Sequence, residues 1–172
     1  MLAVVCDSSP LVYLSKLDQF GLLRLVYDSV YVPTAVWREV AIGGEGLVES
    51  VNLKSAVADG SIRVETPSNL EVQAAGFPKE LGRGEVEAIV LACELKAVVV
   101  TDDGLGRSVA VSRGLEVTGT VGVLIRAKRH QHLLAVKPLL ERLKQNTNFR
   151  MSDSFYEEAL RSAGESARTD NS

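Results

Sequence analysis

The chain has 172 residues, 46% of them apolar and 24% charged, with a net charge of −3. That length supports one well-buried core and is short for two. No apolar run approaches the roughly 20 residues that span a bilayer. The opening MLAVVCDSSP lacks the basic stretch of a secretory leader. The expectation is therefore one cytoplasmic domain over residues 1–164 with no membrane contact, followed by a disordered polar tail over residues 165–172.

The elements alternate between two periods. Strand-like runs fall at LAVVC (2–6), SVYV (29–32), SIRVE (61–65), AVVVT (97–101) and LEVT (115–118), each short, β-branched and bounded by turn residues. Helical patterns lie between them. SSPLVYLSKL reads as a serine cap with Pro10 in the first turn, and PTAVWREVAI and GEVEAIVLACELK repeat the helical spacing. Strands separated by helices need long crossovers, so a mainly parallel sheet with helices on both faces is expected, an α/β three-layer sandwich. After Thr118 the pattern is helical to the end, with Pro138 dividing the first stretch and Ser152 placed to cap the last. Cys6 and Cys93 sit in apolar periodic segments and read as small core residues.

Charge is unevenly spread. Residues 1–125 carry 10 Lys and Arg against 16 Asp and Glu, residues 126–150 carry 7 against 1, and residues 151–172 carry 2 against 5. A basic block beside an acidic body is a nucleic-acid footprint or a solvated helix face, with Arg126, Lys128 and Arg129 the residues that would meet phosphates.

Two strand runs end in acids, VVC in Asp7 and VVVT in Asp102 and Asp103. Each alone reads as a cap for the following helix. Two helical glutamates join them. Glu39 has Ala35, Val36 and Ile42 as its helical neighbours and projects among apolar side chains; Glu85 lies on the side of Ile89, Ala92 and Cys93 and points towards the sheet. Glu87 shares its face with Leu91 and Glu94, which turns it to water. Function in an open parallel sheet collects at the carboxyl ends of the strands. Carboxylates gathered there repel one another unless a cation is present, and an all-oxygen donor set suits Mg²⁺ or Mn²⁺ rather than zinc. A metal-dependent nuclease or phosphohydrolase follows.

The order VVCDSSPLVYLSKL, YVPTAVWREV, LGRGEVEAIVLACELKAVVVTDD and GLEVTGTVGVLIRAK resembles the PIN-domain superfamily, in its short prokaryotic VapC-like branch with a GRGExEAI helix. The resemblance runs from about Val4 to about Lys144 and implies strand order 3-2-1-4-5, which sets the ends of strands one and four side by side. It assigns Asp7, Glu39 and Glu85 to the first three family acids and Asp103, with Thr101 as the hydroxyl residue, to the Thr-x-Asp ending. Asp102 departs from the pattern, as a metal ligand in its own right or as a helix cap. The resemblance further implies a Mg²⁺-dependent ribonuclease acting on RNA, a cognate antitoxin for members that are toxins, and a homodimer.

Rival readings lack their own residues. A receiver domain needs an acidic pair after the first strand and a lysine after the fifth, and a haloacid-dehalogenase-type phosphatase needs a second Asp where Ser9 stands. The GRG at Gly82–Gly84 lacks the lysine of a phosphate loop. A PIN fold that binds nucleic acid or regulates without turnover is the remaining alternative.

Overall fold

The structure is a computed structural model and describes residues 1–166. Five parallel strands, β1 (Ala3–Cys6), β2 (Ser29–Pro33), β3 (Arg63–Glu65), β4 (Val98–Val100) and β5 (Val117–Thr118), form one sheet in the order β3-β2-β1-β4-β5. The register pairs Val4 with Val30 on one side and with Val98 on the other. Every neighbouring pair is parallel. The strands are shorter than their apolar runs, because the run ends enter the connections.

Helices fill the crossovers: α1 (Ser8–Lys16), α2 (Leu22–Val26), α3 (Thr34–Trp37), α4 (Val48–Ala58), α5 (Leu70–Gln73), α6 (Arg83–Leu95), α7 (Gly104–Ser112), α8 (Thr120–Arg129), α9 (Lys137–Asn146) and α10 (Asp153–Ser162). A π-helical turn over Arg38–Ile42 extends α3. Side chains of a strand alternate between faces, and two cores result. Val4, Cys6 and Val100 pack with Leu11 and Leu14 of α1, Leu53 of α4, Leu124 of α8, Leu140 of α9 and Leu160 of α10. Val5 and Val99 pack on the other face with Ala88, Ile89 and Ala92 of α6 and Val109 of α7. Both cysteines are free. Among the described residues no helix is long and apolar enough to cross a membrane.

The caps differ in part from the sequence reading. Asp7, rather than a serine, caps α1, accepting from the backbone N–H of Ser8 at 2.8 Å. Pro138 stands in the first turn of α9, and Ser152 caps α10 through the N–H of Phe155 at 3.2 Å. Glu165, the first residue of the expected tail, is held: it accepts from Lys128 Nζ at 2.7 Å and from the N–H groups of Val136 and Lys137 at 2.6 and 2.9 Å. Burial alone would raise its pKa, but these donors hold it below the usual carboxylate range. Residues 167–172 of that tail lie outside the described residues.

Candidate metal and nuclease site

The strand order makes β1 and β4 neighbours, so the chain leaves the sheet at Asp7 and at Thr101 side by side. Asp7 donates its N–H to the carbonyl of Val100 at 2.9 Å, which fixes this alignment. Thr101 Oγ1 donates to Asp7 Oδ2 at 3.0 Å and accepts from the N–H of Asp103 at 3.2 Å. The hydroxyl therefore ties the two strand ends together. Asp7 Oδ1 points at the first turn of α1, where Ser8 Oγ in turn donates to Glu39 Oε2 at 2.8 Å. Ser8 is a site residue that sequence reasoning passed over, although its place directly after a strand-end acid is the signal.

Gly84 shows how closely the elements meet. A Cβ there would lie 3.3 Å from Val36 Cγ2 and 3.4 Å from both Asp7 Oδ1 and Glu39 Oε2. One residue on, Glu85 folds back over Gly82, and its stem approaches Gly106 from the same side as Asp103, whose Oδ2 accepts from the Gly106 N–H at 2.6 Å. Asp7, Glu85, Thr101 and Gly106 line one small crevice with Ala88, Ile89 and Val99. Asp7, Glu39, Glu85, Thr101 and Asp103 are thus brought to one end of the sheet from four parts of the chain, Thr101 and Asp103 sharing the connection from β4 to α7.

Asp102 turns the other way. Its two oxygens accept from the N–H and the hydroxyl of Thr120 at 2.8 and 2.6 Å, at the start of α8. Burial raises its pKa, and those two bonds and Arg107 act to lower it.

Electrostatics single out Asp7. It is 3% exposed, and its pKa is pushed up to about 6, first by burial. The bonds from Ser8 and Thr101 oppose this, while the charges of Glu85 and Glu39 add to it. The groups acting on it include no cationic side chain. Among the described residues no three His, Cys, Asp or Glu side chains converge closely enough to enclose an ion. The donors fit a hard divalent cation all the same: they are oxygens only, and magnesium is commonly held by one or two carboxylates with water in its remaining positions. Asp7, Glu85 and Asp103 are the carboxylates that would offer such a cation its donors.

Two expectations are corrected. Glu39 is exposed rather than set among apolar side chains, because the π turn carries it to the rim, where Ser8 holds it. Glu87 does not face water: it is 3% exposed and accepts from the Ala35 N–H at 2.8 Å and from Arg83 Nε at 3.0 Å. The basic block lies away from the carboxylates. α8 starts beside Asp102 and runs back along the sheet, so its last turn shares a cleft with Leu2 and Val98 at the strands' amino ends. There Arg126 donates to the Val26 carbonyl at 2.9 Å and stacks over Tyr27, Lys128 pairs with Glu165, and Arg129 donates to the Ser162 carbonyl at 3.0 Å.

No curated protein matches the sequence. Two similar solved structures are a PilT N-terminus domain protein from the hyperthermophilic archaeon Sulfolobus solfataricus and a domain of a functionally unknown protein from Methanocaldococcus jannaschii. The first is 19% identical with a TM-score of 0.48, and the match covers 72% of this chain and 90% of that one. The second is 19% identical with a TM-score of 0.44, covering 69% of this chain and 91% of that one. The sequence profile of the PIN domain matches residues 3–165, a span that takes in the whole sheet and every acid described above. The chain belongs to the PIN-domain family.

Proposed function

We propose that the protein is a divalent-metal-dependent endoribonuclease that hydrolyses RNA phosphodiester bonds at the end of β1 and β4. The observation that carries the reading is the gathering of Glu39, Glu85 and Asp103 near Asp7, a buried carboxyl group whose charge no basic side chain offsets. PIN domains are generally nucleases, which supports the class of reaction. When bound, Mg²⁺ or Mn²⁺ supplies a water of lowered pKa and a positive charge beside the phosphate under attack. The chain's own part is positioning. Thr101 and the Ser8 N–H fix both oxygens of Asp7, Ser8 Oγ orients Glu39, and the first turn of α7 fixes Asp103.

The test is incubation of purified protein with single-stranded and structured RNA in Mg²⁺, Mn²⁺ or EDTA. Cutting should require metal, and Asp7→Asn and Glu85→Gln should each remove most of it, at least a hundredfold by the usual effect of losing a positioned acid–base group. Undiminished cutting by both variants sinks the proposed site. Metal-independent RNA binding without cutting would point to a binding or regulatory PIN module instead. A toxin role with an antitoxin partner and a homodimer belong to the same proposal, supported by the resemblance of the sequence to the VapC-like branch. Exposed Ile42, Leu47, Val48 and Val51 offer a second copy an apolar surface. Sedimentation of the wild type and of Val51→Glu checks it, the variant being expected to run as a monomer.

A further inference from the structure

Past the carboxylate cluster, the end of β5 opens into a cleft of about 560 Å³ between α8 and α10. Asp102 and Arg107 stand at its inner end, while Phe149, Arg150, Phe155 and Glu158 line its outer side. Asp102 is committed to Thr120, and Arg107 gives one guanidinium nitrogen, Nη2, to the Thr101 carbonyl, so the charge turned to this end of the cleft is that of a guanidinium anchored at one nitrogen. Phe149 is anchored edge-on against Tyr13 with ring centroids 5.0 Å apart, which fixes the loop that carries Arg150. Phe155 is 44% exposed. An aromatic ring left in water beside two arginines makes a stacking platform with a charged rail, the combination that holds unpaired nucleotides. An A-form duplex keeps its base faces stacked and has nothing to offer such a ring. Arg107, which lines the cleft, donates Nη2 to the Thr101 carbonyl at 3.2 Å, and the Thr101 hydroxyl donates to Asp7 at 3.0 Å, so the cleft and the carboxylate cluster lie on either side of Thr101.

We propose that this cleft is the path of the single-stranded RNA flanking the scissile bond, with a base stacked on Phe155 and phosphates met by Arg150 and Arg107. The proposal rests on the reading of the protein as a nuclease and names what that site takes. It places phosphate recognition on residues outside the basic block of 126–129.

The test reads binding alone. A labelled single-stranded RNA of roughly 12 nucleotides, within the span such grooves cover, and its duplex are titrated in EDTA, by anisotropy, against wild type, Phe155→Ala, Arg150→Gln and Lys96→Gln. Lys96 is exposed at the strands' amino ends and serves as the charge control. Phe155→Ala should weaken single-strand binding by about fivefold or more, the loss typical of one stacked base. Arg150→Gln should lower the salt slope by up to about 0.7, one phosphate contact on a single strand. Lys96→Gln should bind as wild type, and the duplex should bind more weakly than the single strand. Both cleft residues lie at the surface, and melting curves of the variants confirm the fold. Wild-type affinity and salt slope in both cleft variants, or a duplex bound as tightly as the single strand, overturns the proposal. RNA bound in this way but never cut would refute the nuclease reading alone; metal-dependent cutting with both cleft variants unimpaired would refute the cleft alone.

Discussion

Asp7 carries the largest electrostatic burden in the site. Its folded-state pKa of about 6 stands above the ordinary 3.8, so the fold disfavours the charged form. The sign follows directly. Its favourable contribution to stability is complete when the group is protonated in both states, below the ordinary value, and is lost as pH rises through about 6. A shift of this size corresponds to on the order of 2–3 kcal/mol for a group so little exposed. Asparagine keeps the acceptor for the Ser8 N–H and carries no charge. In EDTA, Asp7→Asn should therefore melt higher than wild type at neutral pH, with the gap closing as pH falls towards 4. Calorimetry across that range measures it. A gap that does not change with pH would mean that Asp7 carries no buried charge, and saturating Mg²⁺ should narrow it at neutral pH.

At the scale of elements, α6 holds two acids with different work. Glu85 faces the carboxylate cluster, while Glu87 crosses to the first turn of α3 and accepts its Ala35 N–H, fixing the helix from which the Glu39 turn continues. Glu87→Ala would leave that N–H unpaired in a buried place and should cost about 1–3 kcal/mol. Glu87→Gln keeps an acceptor and loses chiefly the ion pair to Arg83, whose side chain is largely exposed, so little stability should go with it. Thermal melts of the pair separate the two effects; equal destabilisation would mean that the charge, not the acceptor, matters. The face of Glu87 was not legible in the sequence for a plain reason. Residues 87–92 of α6 are all buried, because the helix packs on the sheet and on α3 and α7 together, so helical periodicity could not say which side was wet. Nor could the sequence say where the basic block lies, because its partners, Val26 and Glu165, come from other parts of the chain. What was legible is what a parallel sheet forces locally. Strands covered on both faces must be β-branched runs, and an acid that ends such a run stands at the carboxyl edge. The Asp102–Asp103 doublet is a middle case. Alternation of side chains along an extended chain puts Thr101 and Asp103 on one side and Asp102 on the other, yet only the fold shows that Asp7 lies on the side of Thr101.

The whole molecule converts that division into a measurable linkage. Order β3-β2-β1-β4-β5 sets the ends of β1 and β4 together at the point where the connections diverge, and the acids brought there repel one another in the absence of a cation. An ion that binds only the native chain must then stabilise it, by about 2.7 kcal/mol at a hundredfold excess over its dissociation constant. For a domain of this size that is a rise of several degrees in melting temperature. Mg²⁺ and Mn²⁺ should both produce it at neutral pH, and it should fade as the carboxylates protonate. Asp7→Asn and Asp103→Asn should reduce the shift, and neither should unfold the protein, since asparagine caps a helix about as well as aspartate. Asp102→Asn should keep most of the shift but lower the starting stability, because Asp102 accepts from both the N–H and the hydroxyl of Thr120 and asparagine has a single acceptor oxygen to offer them. Melting in a metal titration of the four proteins decides the matter. Indifference of the wild type to millimolar Mg²⁺ and Mn²⁺ would remove the metal site. Loss of the shift in Asp102→Asn with its retention in Asp103→Asn would exchange the roles of the two aspartates and leave the nuclease proposal standing on Asp7 and Glu85.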